Sequence, residues 1–246
     1  MQAVIFRKPF LILVISFSTS FYISAQQQDS TIQLITKPLS FPRSAVQKKY
    51  LSAKSMIIPV FFIDYGFSSL QVKQLEQFNK LVKEEVTEDA PGFKTKVDDY
   101  LKYAPMAGVY VLNLAGVKGR HKLVDRTIIY AVSAFLSNEI VTKLKHATHQ
   151  LRPDGSTYNS FPSGHTAFAF AGAEFMNQEL GWRSPWYSIA GYSMATGTAL
   201  LRVMNNRHWV GDVIAGAGIG MLATKFSYWL YSKWENRKHG KEVINY

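Results

Sequence analysis

Five apolar segments fill the second half of the chain, at roughly 103–117, 123–141, 164–180, 186–201 and 209–230. They are rich in Ala, Gly and Ser, the residues that let helices approach closely. The pattern predicts an all-α chain, a helical bundle with five membrane-spanning helices. A buried bundle in a soluble protein gives a similar pattern, because several segments fall short of about 18 residues and carry Asn113, Asp125, Glu139 or Glu174. The placement of charge favours the spanning arrangement. Five spans put Lys118, Arg120, Lys122 and Arg126 on one side with the tail residues Lys233, Arg237, Lys238 and Lys241, and basic stretches stay on the cytoplasmic side. The loops at 143–163 and 202–208 then share the opposite, exported face.

The N-terminus fits export. Arg7 and Lys8 precede an apolar run from Phe10 to Ile15, then a weaker stretch through Tyr22, then Ser24, Ala25 and three glutamines. This predicts a signal peptide over residues 1–25. Ile23 stands where a small residue is usual, so an uncleaved anchor is the alternative. Residues 26–102 are expected to form an N-terminal periplasmic segment. Its apolar patch from Met56 to Ile63 is too short to span a bilayer. Leu75, Phe78, Leu81, Val82 and Val86 recur at helical spacing and predict an amphipathic helix that ends near Pro91 and Gly92. Residues 103–232 form the catalytic domain in this reading, and 233–246 a basic tail.

Composition narrows the partners. With 28 Lys and Arg against 17 Asp and Glu, the formal charge is +11, and it falls to +9 once Arg7 and Lys8 are removed. Such a surplus favours anionic partners. The basic residues are dispersed without interleaved stacking aromatics, which argues against nucleic acid. The absence of cysteine excludes disulfides, thiolate catalysis and cysteine zinc sites.

Three blocks carry chemistry: Lys145 with Arg152 and Pro153; Pro162, Ser163, Gly164 and His165; and Arg202, His208 and Asp212. A phosphate dianion suits guanidinium and ammonium donors. It also suits the free backbone N–H groups of a helix N-terminus, which the turn at Ser163 and Gly164 would present. His208 and Asp212 are four apart at the start of the last helix, so the carboxylate can fix the imidazole tautomer and leave the other nitrogen to attack phosphorus. His165 would protonate the leaving oxygen and then activate water. Lys145, Arg152 and Arg202 would hold the equatorial oxygens. Side-chain cations thus take the place of a metal, and no cofactor is expected.

These ten side chains at fixed offsets resemble the signature of the type 2 phosphatidic acid phosphatase superfamily, which takes in lipid phosphatases, nonspecific acid phosphatases and vanadium haloperoxidases. The resemblance implies a helical bundle with His208 as nucleophile, His165 as acid and Asp212 as orienting partner. It implies phosphate binding by Lys145, Arg152, Ser163, Gly164 and Arg202. One departure is Leu201, where the family usually has Ser; the loss of that hydroxyl is expected to alter rate or fit without abolishing function. The motifs cover 145–212, the hydrophobic layout extends the likeness over about 103–230, and 26–102 has no counterpart in it.

Plainer roles compete at other positions. His146 and His149 lie three apart without nearby carboxylates, so a metal site is not expected there. Arg207 reads as a solvated loop charge. Trp186, Tyr187, Trp209, Tyr228, Trp229, Tyr231 and Trp234 cluster at segment ends, as interfacial belts do. The leading expectation is an inner-membrane lipid phosphatase whose site opens to the periplasm. Its substrate would be an anionic lipid phosphate monoester, by likeness to small exported lipid A phosphatases the 4′-phosphate of lipid A. Undecaprenyl diphosphate and phosphatidylglycerol phosphate are alternative substrates, and a soluble periplasmic acid phosphatase is the alternative protein. Vanadate-dependent oxidation and a noncatalytic scaffold are less favoured, the latter because a complete charged site in apolar surroundings is costly to keep.

Overall fold

The computed structural model describes residues 51–242, the side chains of 238–242 excepted. The signal expected over 1–25 and the side chains of Lys238 and Lys241 lie outside the described residues. Within them are eight helices and no strand: α1 (Ala53–Ser68), α2 (Lys73–Asp89), α3 (Val97–Leu101), α4 (Ala104–Leu114), α5 (Leu123–Thr148), α6 (Gly164–Leu180), α7 (Pro185–Met204) and α8 (Val210–Glu242). Each of the five apolar segments is a helix, and α2 is the amphipathic one.

Local chemistry sets several helix starts. The Ser163 side chain accepts from the Thr166 N–H and caps α6. Ser184 caps α7, with Pro185 in the first turn, where its missing N–H costs nothing. At the C-terminus of α5, His149 adopts a left-handed conformation (φ 43°) that ends the helix and turns the chain into the loop before α6.

The axis of the bundle is α6, which packs against α4, α5, α7 and α8. Thirteen of its seventeen residues are buried, so it lacks the polar stripe of a surface helix. Close approach between α6 and α8 depends on glycine. A Cβ at Gly216 would lie 2.5 Å from the Ser163 carbonyl oxygen, and one at Gly218 would lie 2.5 Å from the Pro59 carbonyl oxygen on α1. Thus α1, from the stretch that the sequence left without a role, lies along α8. A core of Val109, Ile129, Tyr130, Phe175, Met176, Leu180 and Tyr228 joins α4, α5, α6 and α8. The buried carboxylates are paired, as burial demands: Glu174 with Lys225 at 2.7 Å, and Glu179 with His121 and the Tyr228 hydroxyl, each at 2.7 Å.

Among the described residues, Val210–Arg237 within α8 is long and apolar enough to cross a membrane. The pair α1 and α2, bent by 89°, passes the same test together. The other expected spans become helices without meeting that test.

Candidate active site

Three connections gather at one end of the bundle. The Ser163 N–H donates to the Asp212 carbonyl, tying the α6 turn to α8, and the Asp154 N–H donates to the Asn206 carbonyl. Asn205, just after α7, accepts from the Thr95 N–H, and its amide donates to the Thr95 carbonyl at 3.0 Å. That exchange fastens α3 and its approach to the site.

A cavity of about 890 Å³ opens between these connections, lined by Lys145, Arg152, Gly164, His165, Arg202 and His208 among others. Six of the eight residues expected at the site therefore face one space. The other two stand behind it. Ser163 is fully buried, and its hydroxyl serves the α6 cap and Thr166. Asp212 is buried beneath His208.

The Asp212–His208 arrangement is looser than one direct hydrogen bond. Asp212 is the third residue of α8, and its Oδ2 accepts from the Trp209 N–H at 2.9 Å, as an acid at that helical position can. The same oxygen accepts from the Ser160 hydroxyl at 2.5 Å. His208 Nδ1 lies 3.5 Å away and has no hydrogen-bond partner. The carboxylate is thus fixed by Ser160 and the backbone, facing an imidazole that it can stabilise as positive charge grows.

Cations surround His208. The Lys145 ammonium donates to the carbonyls of Asn159 and Ser160, and Arg152 Nε donates to Asn159 Oδ1 at 2.9 Å. Arg202 Nη1 donates to Asp98 Oδ2 at 2.6 Å, while its buried Nε has no partner. A buried N–H without an acceptor beside an open cavity is what an anion site presents. Burial, then Lys145, Arg202 and Arg152, push His208 well below the usual imidazole range, which favours the neutral ring. Burial and the neighbouring Arg152 push Lys145 down to about 8.

Three residues escaped the motif reading. Ser160 fixes Asp212. Asp98 and Asp99, on α3, engage the site from outside the motif blocks: Asp98 pairs with Arg202, and Asp99 Oδ1 lies 2.7 Å from His165 Nε2. Nothing in their periodicity marks them, because the contacts bridge more than sixty residues of chain. Asp98, Asp99 and His165 bring three ligand atoms within 4.8 Å of one another. Their neighbours, the Arg202 guanidinium and the Lys102 ammonium 3.2 Å from His165 Nε2, suit ion pairing better than a metal cation. His146 and His149 line a separate cavity of about 270 Å³ with Tyr158. Arg207, read as a solvated charge, lines the main cavity and pairs with Asp154 at 2.9 Å.

A buried histidine with a carboxylate 3.5 Å away faces cations and a second histidine at a helix start, an arrangement suited to an anion. Comparison with known proteins points to a class for this part of the chain: residues 126–236 match the model of the PAP2 superfamily. The chain is 42% identical over 142 residues to the lipid A 1-phosphatase of Porphyromonas gingivalis, a match taking in 57% of this chain and 32% of that protein. It is 31% identical over 121 residues to the bacitracin transport permease protein BcrC of Bacillus licheniformis, taking in 43% of this chain and 56% of that one. The chain thus spans about a third and just over half of these relatives. In fold it resembles a transmembrane PAP2 type phosphatidylglycerolphosphate phosphatase from Bacillus subtilis, with a TM-score of 0.53 and 17% identity over 74% of this chain and 98% of that one.

Proposed function

We propose that this protein hydrolyses a lipid phosphate monoester through a phosphohistidine on His208. The observation that carries the reading is the cavity that joins His208, His165, Lys145, Arg152 and Arg202, with a buried Arg202 N–H lacking an acceptor. The phosphate sits against the three cations and the first N–H groups of α6. The free ring nitrogen of His208 attacks phosphorus while Asp212 offsets the charge developing on the ring. His165 gives its proton to the departing oxygen, then takes one from the water that cleaves the phosphorus–nitrogen bond, restoring both histidines and releasing inorganic phosphate. The cations hold the equatorial oxygens through both steps.

Lipid A is the substrate that we infer. The 42%-identical relative supports it, and its name supports position 1, whereas the expectation of position 4′ rests on likeness to small exported lipid A phosphatases. The site faces the periplasm from the inner membrane in this reading, with five spans following the charge rule. Support for that comes from outward apolar side chains such as Phe61, Val111, Ile128 and Phe135, each more than half exposed, and from exposed Trp186 and Trp234 near helix ends. A soluble exported acid phosphatase is the second reading, favoured by the burial of 72% of the apolar window in Val210–Arg237. Fractionation separates the two: recovery in a detergent-free periplasmic wash selects the soluble form.

The test is incubation of the purified full-length protein with bisphosphorylated lipid A, read by tandem mass spectrometry. Loss of one phosphate from position 1, abolished by His208→Ala, is expected. Unchanged lipid A under conditions where the protein hydrolyses a soluble aryl phosphate refutes the substrate assignment.

A further inference from the structure

Asp99 and His165 meet from elements 66 residues apart. His165 is the second residue of α6 and Asp99 belongs to α3, a five-residue helix outside the span that matches the superfamily. The contact is short, 2.7 Å from Asp99 Oδ1 to His165 Nε2. Both residues line the main cavity. Nδ1 makes no hydrogen bond to a described residue, so the ring has one nitrogen committed to a carboxylate and one uncommitted. The other charges that face the ring are the Lys102 ammonium, 3.2 Å from Nε2 and 4.9 Å from the centre of the Tyr103 ring, and Arg202 from α7. Burial favours the neutral ring, as do both cations, and Asp99 is the group that opposes them.

We propose that Asp99 is the positioning residue of the proton donor: it accepts the Nε2–H of His165 throughout the cycle, leaving Nδ1 as the nitrogen that exchanges its proton with the reacting oxygens. In the first step the Nδ1 proton moves to the leaving oxygen as the phosphorus–oxygen bond breaks and the bond to His208 forms, and the ring becomes neutral with Nε2–H still held by Asp99. In the second step Nδ1 takes a proton from water as the water oxygen bonds to phosphorus and the bond to His208 breaks. Protons and charge on His165 return to their starting state. The carboxylate selects the tautomer and, against Lys102 and Arg202, keeps the ring able to hold the second proton. The inference rests on the phosphohistidine reading of the same site.

The experiment exploits leaving-group chemistry. An alkyl phosphate needs its leaving oxygen protonated, whereas an aryl phosphate with an acidic phenol does not. Asp99→Asn keeps the shape and removes the charge, and Asp99→Ala removes the contact. For both, kcat/KM, which reports the steps up to the phosphohistidine, is expected to fall by roughly 10- to 100-fold on an alkyl phosphate, part of the 10²–10⁴ that general acid catalysis supplies, with less than about a threefold change in kcat/KM on the aryl phosphate. The two substrates are measured on one preparation, so their ratio does not depend on the folded fraction. In a His165→Ala background, Asp99→Asn should add no further selective loss. Equal losses on both substrates, or no loss on either, overturn the proposal. A wild-type protein inactive on both phosphates would instead count against the phosphatase reading. In that case ¹⁵N spectra of the histidines still decide the positioning role, which requires a protonated Nε2 on His165 that Asp99→Asn makes variable.

Discussion

Asp98→Ala should remove from the cavity wall the carboxylate that is hydrogen-bonded to Arg202. Asp98 and Arg202 are both more than nine-tenths buried, and Nη1 meets Oδ2 at 2.6 Å. Asp98 Oδ1 also accepts from the Asn205 amide at 3.1 Å. Arg202 Nε already lacks a partner, so the substitution leaves a buried guanidinium without its hydrogen-bonded carboxylate. Breaking a buried pair from one side costs about 3–5 kcal/mol. In a domain of this size each kcal/mol moves Tm by about 2–4 °C, which gives a drop of about 6–20 °C. Inorganic phosphate, binding where the lost carboxylate's charge is missed, should then raise Tm more in Asp98→Ala than in the wild type, because the ligand stabilises the folded state by mass action and here also relieves an unpaired charge. Thermal melting of the purified protein in detergent, with and without phosphate, reads both effects, and an Asp98→Ala/Arg202→Ala double variant should recover much of the loss. A drop under about 2 °C, or a phosphate shift equal to that of the wild type, refutes the reasoning.

Lys145, pushed down to about 8 by burial and Arg152, is charged below that pH and neutral above it, so phosphate binding should weaken as pH rises. At pH 9 about a tenth of the free enzyme keeps the charge, and kcat/KM on an aryl phosphate should fall about tenfold between pH 7 and pH 9; Lys145→Arg should move that limb out of range, as steady-state kinetics across pH would show. Gly216→Ala places a Cβ 2.5 Å from the Ser163 carbonyl, forcing α6 and α8 apart at the turn that leads into His165. It should cost about 1–3 kcal/mol, seen in melting, and lower kcat on both alkyl and aryl phosphates.

Much of this architecture is legible in sequence because it follows from local pattern. Each apolar segment is a helix since its residues must bury or shed apolar surface along its whole length, and α2 shows its spacing openly. The motif blocks were also legible, because phosphate chemistry demands particular side chains at short offsets: Lys145, Arg152, Gly164, His165, Arg202 and His208 share one cavity. What was not legible depends on long-range contact. The run from Met56 to Ile63, short as a span, is part of a sixteen-residue helix whose Pro59 carbonyl meets Gly218. Asp98 and Asp99 look like solvated acids in a polar stretch until α3 docks beside α7. Ser160 gives no sign that its hydroxyl holds Asp212, and the capping of α8 draws that carboxylate toward the Trp209 N–H, leaving His208 Nδ1 at 3.5 Å.

Central to the proposed mechanism is a covalent bond between phosphorus and His208. Rapid acid-free quenching of the full-length protein during turnover of a ³²P-labelled aryl phosphate, followed by peptide mapping under alkaline conditions that preserve phosphohistidine, tests it directly. Transient, acid-labile label is expected on the peptide containing His208, absent in His208→Ala and longer-lived in His165→Ala, where the water-activating base is gone. Turnover without label on His208, or label on another residue that persists in His208→Ala, contradicts it.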